Sequence, residues 1–308
     1  MITKTLKSVP QFLKVFNQVN HGREFAFSFN VADRCPVGCM CYWRAQERVK
    51  ELSDEDVIQF FRDRKDEGKV LATLVGGEPY VRRDLLPKLV SILPASWIVT
   101  SGTTPLLPNL HNTTHFVSVD GGNPETHDRV RRMPGLYNRI VKNISDVRKK
   151  GKFQCYIHSV LNKVNFMQVS EIVDTWHKNG LADGIVFSTM TPIRGGGEGD
   201  LQLSENDRAW IVQELQRIKV LRGRFLLMTK NMINRFHPEH TKTQTPETCG
   251  TAKYSASYDA SGKRMAQCIL SDKADCTACG CVVTTFMDTI AEFDPRTIAL
   301  GLKMYLPD

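Results

Sequence analysis

Apolar residues fall along this chain in two alternating rhythms. Phe25, Phe27, Phe29 and Val31 recur at every second position, the period of a strand. The segment from Val70 to Val75 is a near-continuous apolar run, as expected of a strand buried on both faces. Four more strand patterns lie at 97–100, 115–120, 153–160 and 184–190. Helical spacings separate them. Ser53 caps one helix, Asp56 stands at its capping-box position, and Gly68 ends it. Others are predicted at 84–93, 137–150, 168–179 and 206–220. Ahead of the first strand, residues 1–22 read as an amphipathic helix with Phe12, Leu13, Val15 and Phe16 on one side.

Six strands alternating with helices predict right-handed βαβ units and a parallel sheet. A complete eight-unit barrel takes about 250 residues. The span of roughly 24–200 is shorter, so the expected fold is α/β, a partial (β/α)6 TIM-like barrel. From about residue 235 prolines, threonines and five cysteines appear, with only short apolar runs. The predicted division is an N-terminal helix at 1–23, the partial barrel at 24–235 and a small metal-held region at 236–308.

Composition narrows the class. In 308 residues the hydrophobic share is 41 % and the charged share 24 %, ordinary for a globular protein. No apolar run reaches the about 18 residues of a spanning helix, and the first residues lack the apolar core of a secretory signal, so a cytoplasmic location is expected. The 41 Lys and Arg exceed the 33 Asp and Glu by eight, but they are scattered, which reads as a solvated surface and not a nucleic-acid face. The nine cysteines are more informative. An odd number without an export signal argues against a disulfide framework. Eight of them fall in two groups, the pattern of metal or iron–sulfur ligation. The ninth, Cys155, alternates with apolar neighbours and reads as a core thiol.

Cys35, Cys39 and Cys41 directly follow the first strand. In a parallel barrel, chemistry sits at the C-terminal ends of the strands. Three thiolates are one short of closing a four-iron cluster, which leaves an iron open to a small molecule. A zinc site borrowing a fourth ligand is the alternative. Gly76-Gly77-Glu78-Pro79 ends the second strand. Its glycines permit close backbone approach, and the Glu78 carboxylate and nearby carbonyls could accept from an ammonium group. A plain strand-ending turn is the other reading.

Together the two motifs resemble the radical S-adenosylmethionine (radical SAM) superfamily. Thr100-Ser101-Gly102 resembles that family's Thr-Asn-Gly turn, Ser118-Val119-Asp120-Gly121 its Ser-Leu-Asp-Gly, and Glu125 to Arg129 the acidic and His-Asp-Arg segment that follows. The resemblance implies a 4Fe–4S cluster on Cys35, Cys39 and Cys41 that binds SAM. It further implies one-electron cleavage of SAM to methionine and a 5′-deoxyadenosyl radical. SAM contacts would come from Gly76, Gly77, Glu78, Pro79, Ser101, Ser118, Asp120, Asn162 and Arg194, with a turn or loop-capping role as the alternative for the last two. The family spaces its thiols by three residues and then two, whereas here Met40 alone separates Cys39 from Cys41, and Tyr42 holds the position of the third thiol. Cys41 is taken as the ligand because no other thiol is near in sequence.

The tail thiols Cys249, Cys268, Cys276, Cys279 and Cys281 flank a hairpin turning at Asp259–Gly262. They resemble the SPASM or twitch extension that holds an auxiliary 4Fe–4S cluster, and also the tail of proteins related to the hopanoid adenosyltransferase. Five thiols suffice for one four-thiolate cluster, with Cys281 as the spare; a zinc knot is the alternative. The resemblance implies an electron donor such as flavodoxin or ferredoxin. The substrate is a small molecule or lipid precursor, or, as the second reading, a peptide or protein side chain. A non-catalytic zinc protein binding nucleic acid is the rival from another class; it would leave the ordered strand-end motifs unexplained.

Overall fold

The computed structural model of the chain describes residues 13–40, 48–195 and 199–305. Residues 13–20 form helix α1. Strand β1 (Ala26–Ala32) and helix α2 (Asp54–Asp66) follow, then β2 (Leu71–Gly76), α3 (Leu86–Val90), β3 (Ala95–Thr100) and β4 (Thr113–Ser118). Next come α4 (Pro124–Arg131), α5 (Leu136–Lys150), β5 (Gln154–Leu161), α6 (Val169–Asn179), β6 (Gly184–Thr189) and α7 (Glu205–Arg222). The tail holds α8 (Lys230–Asn234), α9 (Pro238–Thr241), α10 (Gly250–Tyr254), β7 (Ser255–Tyr258), α11 (Val282–Ala291) and α12 (Pro295–Tyr305).

All six expected strands form, parallel and in the expected succession, in one open sheet of order β6-β5-β4-β3-β2-β1-β7. The seventh strand is new. Tail residues Ser255–Tyr258 pair in parallel with Ala26–Phe29 of β1. Its Ser-Ala-Ser-Tyr sequence carries too little apolar bulk to read as a strand locally. The helix expected at 84–93 shrinks to α3, and a separate 3-10 turn at Pro79–Arg82 precedes it. Ser53 caps α2 as expected, its hydroxyl accepting from Asp56 N at 3.1 Å. Phe12 lies outside the described residues, and Leu13 and Phe16 of α1 stay exposed while Val19 is buried.

Register assigns the two faces. Phe27 and Phe29 point to α2, with ring centroids 5.1 and 5.6 Å from Phe61. Leu74, Ile98, His115 and Cys155 align with Phe29 across the sheet and share this helix-covered face, where Cys155 is fully buried. The opposite face aligns Ser28, Thr73, Trp97, Thr114 and Gln154. Two to six residues further along the strands the same face carries Asn30, Ser118, His158 and Ser188. The concave face is therefore polar toward the C-terminal strand ends and closed by the tail at the other end. Phe286 of α11 lies 6.1 Å from the Trp97 ring, and the Met304 carbonyl of α12 accepts from Thr114 Oγ1 at 3.0 Å.

The tail is thus richer in core than its short apolar runs suggest. α11 buries Phe286 and Met287 among Thr284, Thr285 and Thr289. Those threonines read as polar in sequence. Buried, they return their hydroxyls to the chain: Thr289 Oγ1 donates to Thr285 O at 2.8 Å and Thr285 Oγ1 to Val282 O at 2.9 Å.

Phe61 is fully buried between Phe27 and Phe29. Phe61→Ala should lower unfolding free energy by about 3–5 kcal/mol, measured by denaturant titration; a loss under about 1 kcal/mol would mean that the helix–sheet contact tolerates the cavity.

Candidate functional site

The rim at the C-terminal strand ends is assembled from backbone contacts that leave no spare space. Gly77 N donates to Ala32 O at 2.7 Å and Glu78 N to Arg34 O at 3.0 Å, which fastens the end of β2 onto the cysteine segment after β1. A Cβ on Gly77 would lie 2.3 Å from Arg34 O, and one on Gly76, whose φ is +120°, 2.5 Å from Ala32 O. Both glycines are therefore required by the packing of the two loops, before any ligand is considered. Glu51 braces the same segment from outside. Its carboxylate accepts from Asp33 N at 2.9 Å and pairs with Arg34 at 3.0 Å.

Glu78 is 1 % exposed, and its carboxylate is saturated. Oε1 accepts from Thr100 Oγ1 at 2.7 Å and Tyr80 N at 3.0 Å. Oε2 accepts from Ser101 N at 2.7 Å and also from the Ser101 hydroxyl. Glu78 and Ser101, both predicted cofactor contacts, thus bind each other. The carboxylate ties β2 to β3 and has little acceptor capacity left for an ammonium group. Pro79 is buried at the start of the adjoining turn.

The described thiols of the first group are Cys35 and Cys39; Cys41 lies outside the described residues. Val37 N donates to Cys35 Sγ at 3.4 Å, and burial pushes the Cys35 thiol up to about 11. Arg131 Nη1 donates to Cys39 Sγ at 3.6 Å. The Arg131 guanidinium also pairs with Asp120 at 2.7 Å. Asp120 accepts from Val160 N at 2.8 Å through its other oxygen, and its own N–H donates to His127 Nδ1 at 3.0 Å. His127 and Arg131 are one turn apart on α4, which Asn123 caps by accepting from Thr126 N at 3.0 Å. Ser118 is buried at the end of β4. Asn162 makes a turn of its own chain, accepting from Val164 N at 2.9 Å. Arg194 is exposed, and its backbone pairs with Lys273 of the tail; its charge acts on Cys276.

The five tail thiols lie within electrostatic reach of one another. Cys268 interacts electrostatically with Cys279, Cys249 and Cys276, and Cys281 with Cys268 and Cys249. Burial pushes Cys268 and Cys279 up to about 12 and Cys281 up to about 11, and the neighbouring thiols add to the rise. Such buried donors fit a cationic cluster, whose binding releases their protons. Among the described residues no three His, Cys, Asp or Glu side chains are arranged to hold one metal ion. The hairpin before Cys268 forms, with Asp259 Oδ1 accepting from Ser261 N and Lys263 N at 2.9 and 3.0 Å. A cavity of about 540 Å³ opens beside Cys279 and Cys281, walled also by His240, Lys253 and Asp288.

Three residues of this region escaped the sequence reading. Arg131 was signalled only by its one-turn spacing from His127. His158 was signalled only by its place near the end of the fifth strand. Its Nε2 meets Ser188 Oγ at 2.9 Å, and burial pushes its imidazole down to about 4, so it is neutral at pH 7. Arg208, on α7, had no local signal at all.

Comparison with known proteins finds likenesses over this region. A model of the Radical SAM superfamily matches residues 29–176. An AdoMet-dependent heme synthase of Methanosarcina barkeri is 24 % identical over 200 residues, 60 % of this chain and 57 % of that protein. An Fe-coproporphyrin III synthase of the same organism is 25 % identical over 218 residues, 66 % of this chain and 53 % of that protein. The match thus spans little more than half the length of either curated relative. Among solved structures, Streptococcus suis SuiB bound to precursor peptide SuiA superimposes with a TM-score of 0.65 at 15 % identity, covering 94 % of this chain and 72 % of that one.

The Glu78 network yields a direct test. Glu78→Gln puts an amide donor among donors and should cost about 1.5–3 kcal/mol in iron-free protein, read by thermal or denaturant unfolding. Unchanged stability with weakened SAM binding would assign Glu78 to the ligand and not to the rim.

Proposed function

We propose that this chain, whose residues 29–176 match a model of the Radical SAM superfamily, is a radical SAM enzyme that cleaves SAM at a 4Fe–4S cluster on Cys35, Cys39 and Cys41 to act on a small-molecule substrate. When bound, the cluster and SAM supply one-electron cleavage of the sulfonium carbon–sulfur bond. The observation that carries the reading is the junction of Cys39, Arg131 and Asp120 at the ends of β1 and β4. A basic side chain on a ligand sulfur and a carboxylate that fixes it form a prepared cluster edge.

The chain's own residues do the positioning. Gly76 and Gly77 let the rim close on the cysteine segment, and Glu78 locks β2 to β3. With Glu78, Asp120 and Asn162 engaged within the protein, we assign SAM contact to main-chain groups around Gly76–Pro79 and to the Ser101 and Ser118 segments. Arg194 is assigned to the tail thiols beside it. Neutral His158, on the polar concave face, lines the reaction space.

The region from 236 onward is read as the auxiliary-cluster region, with Cys249, Cys268, Cys276 and Cys279 as ligands and Cys281 as the spare. One zinc would draw its thiolates in to about 2.3 Å from a single centre. We read the five neighbouring thiols as an iron–sulfur site, in line with the resemblance of this tail to the auxiliary-cluster extension. A low-potential donor such as flavodoxin or ferredoxin would supply the electron. No described helix is long and apolar enough to cross a membrane, in keeping with a cytoplasmic enzyme.

The named relatives support one substrate class. Heme and Fe-coproporphyrin III are tetrapyrroles, so a tetrapyrrole is the favoured small molecule, ahead of a lipid precursor. SuiB's peptide is the second reading, and that likeness reaches only the fold. In reconstituted protein under dithionite, 5′-deoxyadenosine should form, and it should disappear when Cys35, Cys39 and Cys41 are all changed to Ala while tail iron of about four per chain remains. Added Fe-coproporphyrin III should be consumed. Consumption of a peptide instead would overturn the substrate class, and unchanged 5′-deoxyadenosine in the triple variant would overturn the site. Cys41→Ala should lose the cluster and Tyr42→Ala retain it; the reverse would reassign the third position.

A further inference from the structure

Arg208 sits near the start of α7 and is 3 % exposed. A guanidinium stays protonated inside a protein, so a full positive charge is sealed there. It donates from Nη1 to Thr189 Oγ1 at 3.0 Å, and from Nη2 to Met190 O at 2.8 Å and Ala278 O at 2.7 Å. All three acceptors are neutral; the charges that act on it from further off are those of Cys279 and Asp275, and no carboxylate among the described residues is in ion-pair contact with it. Buried charge without a counter-charge is costly, and folds keep it only where something opposite in sign completes the site.

The opposite sign is at hand in the segment that Arg208 holds. Ala278 precedes Cys279, whose Sγ lies 4.0 Å from Thr191 Oγ1. Gly280 N donates to the same Thr191 hydroxyl at 2.9 Å, and Thr189 N donates to Gly280 O at 2.9 Å. A Cβ on Gly280 would lie 1.9 Å from Thr189 O, so the cysteine segment is pressed onto the end of β6 as closely as backbone allows. Arg208 forks across this seam, with one hand on β6 and one on the cysteine loop. With the thiols protonated, only the Asp275 carboxylate answers its charge, and it does so without contact. Four thiolates around an iron–sulfur cluster make an anion and answer it.

We propose that Arg208 is the built-in counter-charge of the tail cluster, a positioning residue that holds the Cys276–Cys281 segment and raises the cluster's reduction potential. The proposal rests on the reading that the tail thiols bind iron–sulfur. Reduction adds negative charge beside the guanidinium, so the reduced state gains more from Arg208 than the oxidised state does. Removal of the charge should therefore lower the potential.

The test is a potentiometric titration of the reconstituted full-length protein, followed by electron paramagnetic resonance. Arg208→Gln keeps a hydrogen-bond donor without the charge; it should shift the tail cluster's reduction equilibrium by about tenfold, about 59 mV for one electron, to lower potential. The cluster at Cys35 and Cys39 should not move. Arg208→Lys keeps the charge without the fork and should stay near wild type, which also covers the case in which Arg208→Gln fails to load iron. An unmoved tail midpoint in Arg208→Gln, an equal drop in Arg208→Lys, or an equal drop at both clusters would overturn the counter-charge role. If wild-type protein holds about four irons per chain that tail cysteine substitutions leave untouched, the tail-cluster reading itself has failed, an outcome separate from these.

Discussion

A buried carboxylate in a protein interior must be satisfied, and Glu78 is satisfied four times over. Its donors come from its own turn and from the end of β3, so the carboxylate fixes the separation of two strand ends. The residues just before it, Gly76 and Gly77, lie against the chain leaving β1 with no room for a Cβ. One short motif thereby sets the height of the cysteine segment relative to the rest of the rim. Catalytic geometry at a barrel mouth depends on such fixed strand ends, because a thiol displaced by an ångström no longer presents to the same iron.

The sheet separates its two tasks by face. Phe27, Phe29, Phe61, Leu74 and Ile98 fill the helix-covered side and supply the core. The concave side alternates in polar groups toward the strand ends and is closed at the other end by Phe286 and Met304. Because the same strands carry both patterns, stability and chemistry are written in alternate residues. His158 illustrates the division: it faces the polar interior beside Ser188, while its neighbour Ile157 is buried in the core.

The tail is integrated with the barrel at three points. β7 extends the sheet beside β1, the Cys276–Cys281 segment is pressed onto β6, and α11 and α12 occupy the concave face. Its thiols therefore stand on the same framework as Cys35 and Cys39, with Arg131 serving one group and Arg208 the other. Each arginine meets its cysteine segment from a helix distant in sequence, the first with a carboxylate partner and the second without.

Local sequence determined the periodic elements and the order of the motifs. Alternation and apolar runs located six strands, and glycine–cysteine–acid motifs at their ends located the rim, because period and burial are properties of neighbouring residues. The tail cysteines were legible for the same reason, as a local cluster of one unusual residue type. Tertiary structure decided the rest. Glu78 finds its donors 22 and 23 residues away, Arg131 reaches Cys39 across 92, and Arg208 reaches Ala278 across 70. β7 pairs with β1 through a segment of mostly small residues, and α11 buries Thr285 and Thr289 by bonding their hydroxyls to its own carbonyls, while Thr284 meets Thr251. None of these follows from the character of adjacent residues, since a hydrogen bond or an ion pair between distant segments is specified only once the whole chain has closed.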